Sequence, residues 1–176
     1  MQMQESRTRE NVRKAFESEL ELSALYRLYA KKAKEQGYLQ IADLLEQTAN
    51  HELEHAGLLA ELLHGCEMPD TAENLYDALQ REKGSPYKRY ADEAAQDGLP
   101  GTADLFRRLQ GVEDNHARRF TILLQNLQTG DVFHKPQECY WVCRICGGLQ
   151  YGQYAPQVCP VCGFPQACFS LYAEDY

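Results

Sequence analysis

The stretch NHELEHA, residues 50–56, and its echo GVEDNHA, residues 111–117, decide how the rest of this 176-residue chain is read. Each holds Glu-x-x-His: Glu52 with His55, and Glu113 with His116. Residues three apart on a helix project from one face, so each pair can present a carboxylate and an imidazole to one ion. One such pair says little, because charged residues commonly line solvated helix faces. Two at the same phase of an internal repeat say much more. A shift of 61 residues lays Ala30 on Ala91, Gly37 on Gly98, Asp43 on Asp104, Leu44 on Leu105, Glu52 on Glu113, His55 on His116 and Ala56 on Ala117. The match runs without gaps over a helix end, a turn and a partner helix, and it reads as a duplicated helical hairpin.

From Arg9 to Gln128 the chain is rich in Ala, Leu, Glu, Lys and Gln, with apolar residues at helical spacing. In the first segment the stripe runs through Phe16, Leu20, Ser23/Ala24, Arg27/Leu28 and Lys31. Gly and Pro punctuate the pattern at EQGY (35–38), HGCEMPD (64–70) and DGLPG (97–101). The spacing predicts four helices over 8–36, 39–64, 71–96 and 101–128, with Asp70 or Thr71 capping the third and Glu73 in its first turn. Two Glu-x-x-His pairs on facing helices, with one glutamate from each of the other two, make the di-iron carboxylate arrangement of four-helix bundles. FESELELSALYRLY offers Glu17, Glu19 and Glu21 on the first helix, and ALQREKGSPY (78–87) offers Glu82 on the third. His51 projects elsewhere, and His64 and His134 have no comparable spacing.

After QTGDVFHKPQE the texture changes to Tyr, Val, Cys, Gly and Pro with frequent turns, a module too small to be held by its own core. CRIC (143–146) and CPVC (159–162) are two CxxC units twelve residues apart, each followed by glycine. Four thiolates at that spacing can surround one tetrahedral ion, and spacing alone leaves structural zinc and redox iron both open. Tyr140, Trp141, Tyr151, Phe164 and Phe169 are the candidates for the surrounding core. Cys66, Cys139 and Cys168 stand outside this pattern and are read as non-ligands.

The charge balance sets bounds on function. A net charge of −8 and an isoelectric point near 5.1 argue against an electrostatic nucleic-acid binder. No run reaches the roughly 18 apolar residues of a membrane span, MQMQESRTRE lacks the apolar stretch of a secretory signal, and seven cysteines without a disulfide pattern suit a reducing compartment. The expectation is a cytoplasmic protein that engages neither membrane nor nucleic acid.

Taken together, the paired Glu-x-x-His, EQGYLQIADLLEQTANHELEHA (35–56), TAENL (71–75) and CRIC…CPVCGFPQACF resemble the rubrerythrin family over essentially the whole chain. The resemblance implies a mainly α fold, a ferritin-like four-helix bundle over 1–129, a linker over 130–138 and a small β-rich rubredoxin-like domain over 139–176. It implies a di-iron site in the bundle and one iron in the four-cysteine site, zinc being the alternative ion in either. The implied activity is an NADH-linked peroxidase: hydrogen peroxide is reduced to water with electrons delivered through a redox partner protein, in a homodimer. By motif, the metal ligands would be Glu19, Glu52, His55, Glu82, Glu113 and His116, with Cys143, Cys146, Cys159 and Cys162 holding the second centre. Glu19, Glu52, Glu82 and Glu113 would carry the catalysis, while Glu17 and Glu21 become flanking charges. Tyr26 and Tyr87 match tyrosines that the family places beside ligand carboxylates; an ordinary core role fits both equally.

The third helix departs from the family. The pattern has two glutamates three residues apart, and this chain has one. Counting forward from TAENL puts Glu82 at the first; counting back from Gly98 puts it at the second, with Leu79 replacing the first. A non-enzymatic iron-binding protein of oxidative stress, with an incomplete di-metal site, is therefore the alternative reading.

Overall fold

A computed structural model describes residues 6–174 and is mainly helical, with a small antiparallel sheet at its C-terminal end. The chain forms two compact units, Met1–Asp70 and Thr71–Tyr176.

In the first unit, α1 (Arg7–Glu35) and α2 (Leu39–Leu63) form an antiparallel hairpin. Ser6 caps α1 by accepting from the Arg9 N–H at 3.2 Å. At the turn Gly37 takes φ +83°, which lets the Tyr38 N–H return to the Ala33 carbonyl at 2.9 Å. The seam is made of small side chains: Ser23, Ala30 and Ala33 from α1 meet Ala42, Ala49, Ala56 and Ala60 from α2. The expected α1 stripe is buried only in part: Ser23 is buried, whereas Leu20 and Leu28 stay exposed. Alanines let the two backbones approach closely, and the Ser23 hydroxyl is satisfied by donating to the Ala49 carbonyl at 2.8 Å. Because Ala49 has no exposed surface, Ala49→Leu should overpack the seam and destabilise the unit by about 1–3 kcal/mol. A lowered chemical denaturation midpoint with retained helicity would show it; an unchanged midpoint would contradict close packing there.

The second unit repeats the device. Helix α5 (Pro100–Thr129) packs against α3 (Thr71–Lys83) and α4 (Tyr87–Gln96), Gly98 takes φ +73°, and the Leu99 N–H returns to the Ala94 carbonyl at 2.9 Å. Ala91, Ala94, Ala103 and Ala117, the repeat partners of Ala30, Ala33, Ala42 and Ala56, are again buried. The ring pair Tyr26–Tyr29, 6.3 Å between centroids, recurs as Tyr87–Tyr90 at 6.4 Å.

One departure is decisive. The helix expected over 71–96 is interrupted at Gly84-Ser85-Pro86, so α3 and α4 are separate. Pro86 lacks the N–H that would continue the ladder, and it disfavours the helical region at Ser85. The chain closes α3 with the Gly84 N–H on Gln80 and restarts when Tyr90 donates to the Pro86 carbonyl at 3.0 Å.

The sheet has the order β2-β1-β3, with β1 His134–Cys143, β2 Leu149–Tyr154 and β3 Phe169–Leu171. Strand β1 thus starts inside the stretch read as linker. His134, which has no metal spacing, is fixed there: its Nδ1 lies 2.8 Å from Asp131 Oδ1 and its ring lies against Tyr154 at 4.4 Å. The Thr129 hydroxyl, then His134, hold the Asp131 carboxyl below its ordinary pKa. The small core comprises Trp141, Cys143, Ala155, Cys159 and Phe169, with Cys139 and Cys168 packed against it. Tyr140, Tyr151 and Phe164 are exposed, contrary to expectation. Strand alternation explains the first two: Trp141 and Cys143 point inward, so Tyr140 points outward and pairs with Tyr151 across the strands at 4.9 Å.

Candidate metal centres

Each unit gathers its own helical triad. In the first, His55 Nδ1 lies 2.9 Å from Glu52 Oε2 and 3.6 Å from Glu19 Oε2. In the second, His116 Nδ1 lies 3.3 Å from Glu113 Oε2 and 3.5 Å from Glu82 Oε2. The ligand atoms of either triad fall within 4.8 Å of one another, within reach of a single ion. Glu17 instead pairs with Arg13 at 2.6 Å.

The triads match as structures although the repeat does not predict it. A shift of 61 from Glu19 lands on Gln80, yet Glu82 is the side chain that faces His116. The interruption at residues 84–86 resets the register of α3 against α5, while the repeat holds from Tyr87 onward. Leu79 is buried and apolar, so nothing on α3 replaces a second carboxylate there. Tyr26 belongs to the ring pair with Tyr29, and Tyr87 stacks on Phe106 at 5.8 Å; among the described residues neither hydroxyl bonds a ligand carboxylate within its own unit.

Both triads have the electrostatics of cation sites. Glu19 Oε2 is buried without a hydrogen-bond partner, which is costly unless a positive ion neutralises it. Glu82 shares a hydrogen bond with Glu113, and that bond, then desolvation and the neighbouring charge, raise its pKa against the opposing pull of His116. Two carboxylates pressed together beside an imidazole are the donor set of a hard or borderline divalent metal.

The cysteine cluster fits an ion more closely still. Cys143 Sγ lies 3.7 Å from Cys162 Sγ, and Cys146 Sγ lies 3.7 Å from Cys159 Sγ. Four sulfurs each about 2.3 Å from one ion would stand about 3.8 Å apart along a tetrahedral edge. Gly147 and Gly163 take φ +75° and +76° just after each CxxC, turning the following N–H groups toward sulfur. The N–H of Cys162 and that of Val161 bring Cys159 down to about 7. Cys162 receives the Phe164 N–H, but desolvation and the thiols of Cys146, Cys159 and Cys143 push it up to about 12. Cys66 lies outside the cluster, as do Cys139 and Cys168.

The helical hairpins with Glu-Glu-His triads and the tetrathiolate knuckle define a class: ferritin-like di-metal carboxylate proteins with a rubredoxin-like appendage. Comparison with known proteins narrows the class. Residues 10–72 match the rubrerythrin family model and residues 141–170 its rubredoxin-like domain. The chain is 34% identical to rubrerythrin-1 of Clostridium acetobutylicum, with 97% of each chain covered, and 32% identical to rubrerythrin of Nitratidesulfovibrio vulgaris, again with 97% of each covered. A solved structure of nigerythrin in a mixed-valent state aligns at 27% identity over 97% of this chain and 92% of that one, with a TM-score of 0.34. The chain belongs to the rubrerythrin family, and the residues suited to the family's iron centres are present in it. Membership places it among the oxidoreductases. Among the described residues no helix is long and apolar enough to cross a membrane.

Proposed function

We propose that this chain is a di-iron peroxidase that reduces hydrogen peroxide to water, recharged through its tetrathiolate iron. The observation that carries the reading is the pair of matched Glu-Glu-His triads in a chain that also holds a four-cysteine site. Glu19, Glu52 and His55 would hold one iron and Glu82, Glu113 and His116 the other; Cys143, Cys146, Cys159 and Cys162 would hold the third. Bound iron supplies the electrons that cleave the O–O bond and relays their replacements. The reaction H2O2 + 2 e⁻ + 2 H⁺ → 2 H2O also consumes two protons at the site. The electrons would come from reduced pyridine nucleotide through a redox partner protein, in a homodimer working in the cytoplasm, where free thiols persist. Tyr26 and Tyr87 remain candidates for orienting ligand carboxylates.

The experiment is peroxide consumption by iron-loaded protein with a reducing partner, compared with Glu52→Ala. Turnover in the wild type that collapses in the variant is expected. Equal turnover in both would sink the peroxidase reading. The buried Leu79 favours a second reading, an iron-binding protein without turnover. A wild type that takes up about three irons per chain yet consumes no peroxide would establish it.

A further inference from the structure

We propose that Tyr140 and Tyr151 form an oxidative cross-linking site, at which hydrogen peroxide and a one-electron catalyst join the two rings and tie β1 to β2 across the first cysteine knuckle. The site lies wholly within the tetrathiolate module and needs no turnover at the helical triads.

The sheet holds the two tyrosines for this reaction. They are direct partners across the antiparallel ladder of β1 and β2. Their ring centroids are 4.9 Å apart with the planes tilted by 53°, near the short end of the roughly 4.5–7 Å spanned by aromatic pairs. The helical pairs Tyr26–Tyr29 and Tyr87–Tyr90 stand wider, at 6.3 and 6.4 Å. Strand alternation puts Tyr140 and Tyr151 on the face away from Trp141 and Cys143, where they are 48% and 62% exposed. A diffusing oxidant therefore reaches both rings, and solvent can take their protons. Val142 and Leu149, the next pair on that face, flank the rings with apolar side chains.

Each phenol gives up one electron and one proton, and the two rings couple through carbons next to their hydroxyl groups. The ring hydrogens at those carbons then restore the hydroxyls. In sum, two C–H bonds are broken and one C–C bond is formed. Both electrons and both protons pass to hydrogen peroxide, which becomes two waters. The new bond closes a loop over residues 140–151, which contains Cys143 and Cys146. A cross-link of this kind stabilises chiefly by restricting the unfolded chain. The module otherwise depends on thiolates, and thiolates oxidise to sulfinic and sulfonic acids that no longer serve as ligands. A carbon–carbon tie between the strands that bracket the knuckle is indifferent to that loss.

The test treats dilute, full-length, iron-loaded protein with hydrogen peroxide and a haem peroxidase. Because the haem enzyme supplies the oxidation, the result is the same whether or not the chain itself turns peroxide over. Trypsin maps the product directly: Lys135 precedes Pro136, so cleavage after Arg119 and Arg144 gives a peptide 120–144 whose sole tyrosine is Tyr140, while Tyr151 falls in 145–176. The expected product fluoresces as dityrosine, is lighter by two hydrogens, runs as a single chain under denaturing conditions and yields these two peptides joined through Tyr140 and Tyr151. Tyr140→Phe and Tyr151→Phe keep the rings on the exposed face, and each should abolish the joined peptide. No linkage, linkage between chains, or linkage through Tyr154 or Tyr172 overturns the site. In linked protein reloaded with iron, the urea midpoint at which the iron–thiolate colour bleaches should rise. An unchanged midpoint overturns the tie.

Discussion

Cys159→Ser is expected to unfold the residues after Thr129 and leave the helices standing. The core of that module is Trp141, Cys143, Ala155, Cys159 and Phe169, so two of its five buried residues belong to the four-cysteine cluster that would hold the ion. Without the ion, four sulfurs stand 3.7 Å apart in pairs with nothing but weak thiol contacts between them. The sheet has three strands, one of them three residues long, and cannot offset the entropy of its ordering by apolar burial. Structural thiolate sites supply on the order of 10 kcal/mol, more than such a core can replace. Trp141 is the sole tryptophan and is 1% exposed, so its emission reports the module alone. A red shift to solvent-exposed emission with unchanged helical circular dichroism is the expected result, and chelation of the wild type should reproduce it. Trp141 emission that stays blue after the ion is removed would refute a metal-held core. Acidification should release the ion as well: Cys159, near 7, becomes protonated as pH falls, and each thiol must lose its proton again for the metal to return.

Glu113→Ala should lower peroxide turnover by more than about hundredfold, since loss of a group that merely orients a metal ligand already costs about 10–100-fold. The side chain has two tasks in the geometry. It would be a ligand in the triad with Glu82 and His116, and its hydrogen bond is the largest cause of the raised pKa of Glu82. Glu113→Gln separates them, keeping the shape while removing the charge. In the metal-free wild type the folded state retains the Glu82 proton to higher pH than the unfolded chain does. The stability this group contributes is therefore fully present below the ordinary glutamate pKa and is lost as pH rises through the raised one. In metal-free Glu113→Gln that decline should flatten, as read from urea midpoints across acidic pH. A decline identical to wild type would show that the Glu82–Glu113 contact does not set the proton affinity. Turnover in Glu113→Ala at the wild-type level would remove Glu113 from the chemistry.

Much of the site is legible in residue type and spacing. Glu-x-x-His places both donors on one helical face wherever the helix goes, and CxxC followed by glycine carries its own loop geometry. Glu19 is reached by the family motif, and α1 runs unbroken from it to the end of the helix at Glu35, so its register survives folding. Glu82 is also reached from the sequence, since both family counts land on it; they differ only in which family position it fills, and the 61-residue repeat points instead to Gln80, because Gly84-Ser85-Pro86 breaks the helix between the turn and the ligand. The exposed Tyr140 and Tyr151 escape a sequence reading for a related reason: aromatic composition suggests a core, but strand phase assigns the face.

What the sequence by itself determined is the chemistry available: two carboxylate–imidazole pairs in a duplicated hairpin, four thiols in knuckle spacing, and small residues for close seams. These depend on separations of three or four residues, which local backbone geometry converts directly into shared faces. What only the tertiary structure decided is that the third helix ends before Gly84-Ser85-Pro86 and how far the connector after α2 can reach. Both depend on where a helix stops, and the stops are set by a proline without an N–H and by a left-handed turn at Gly65-Cys66.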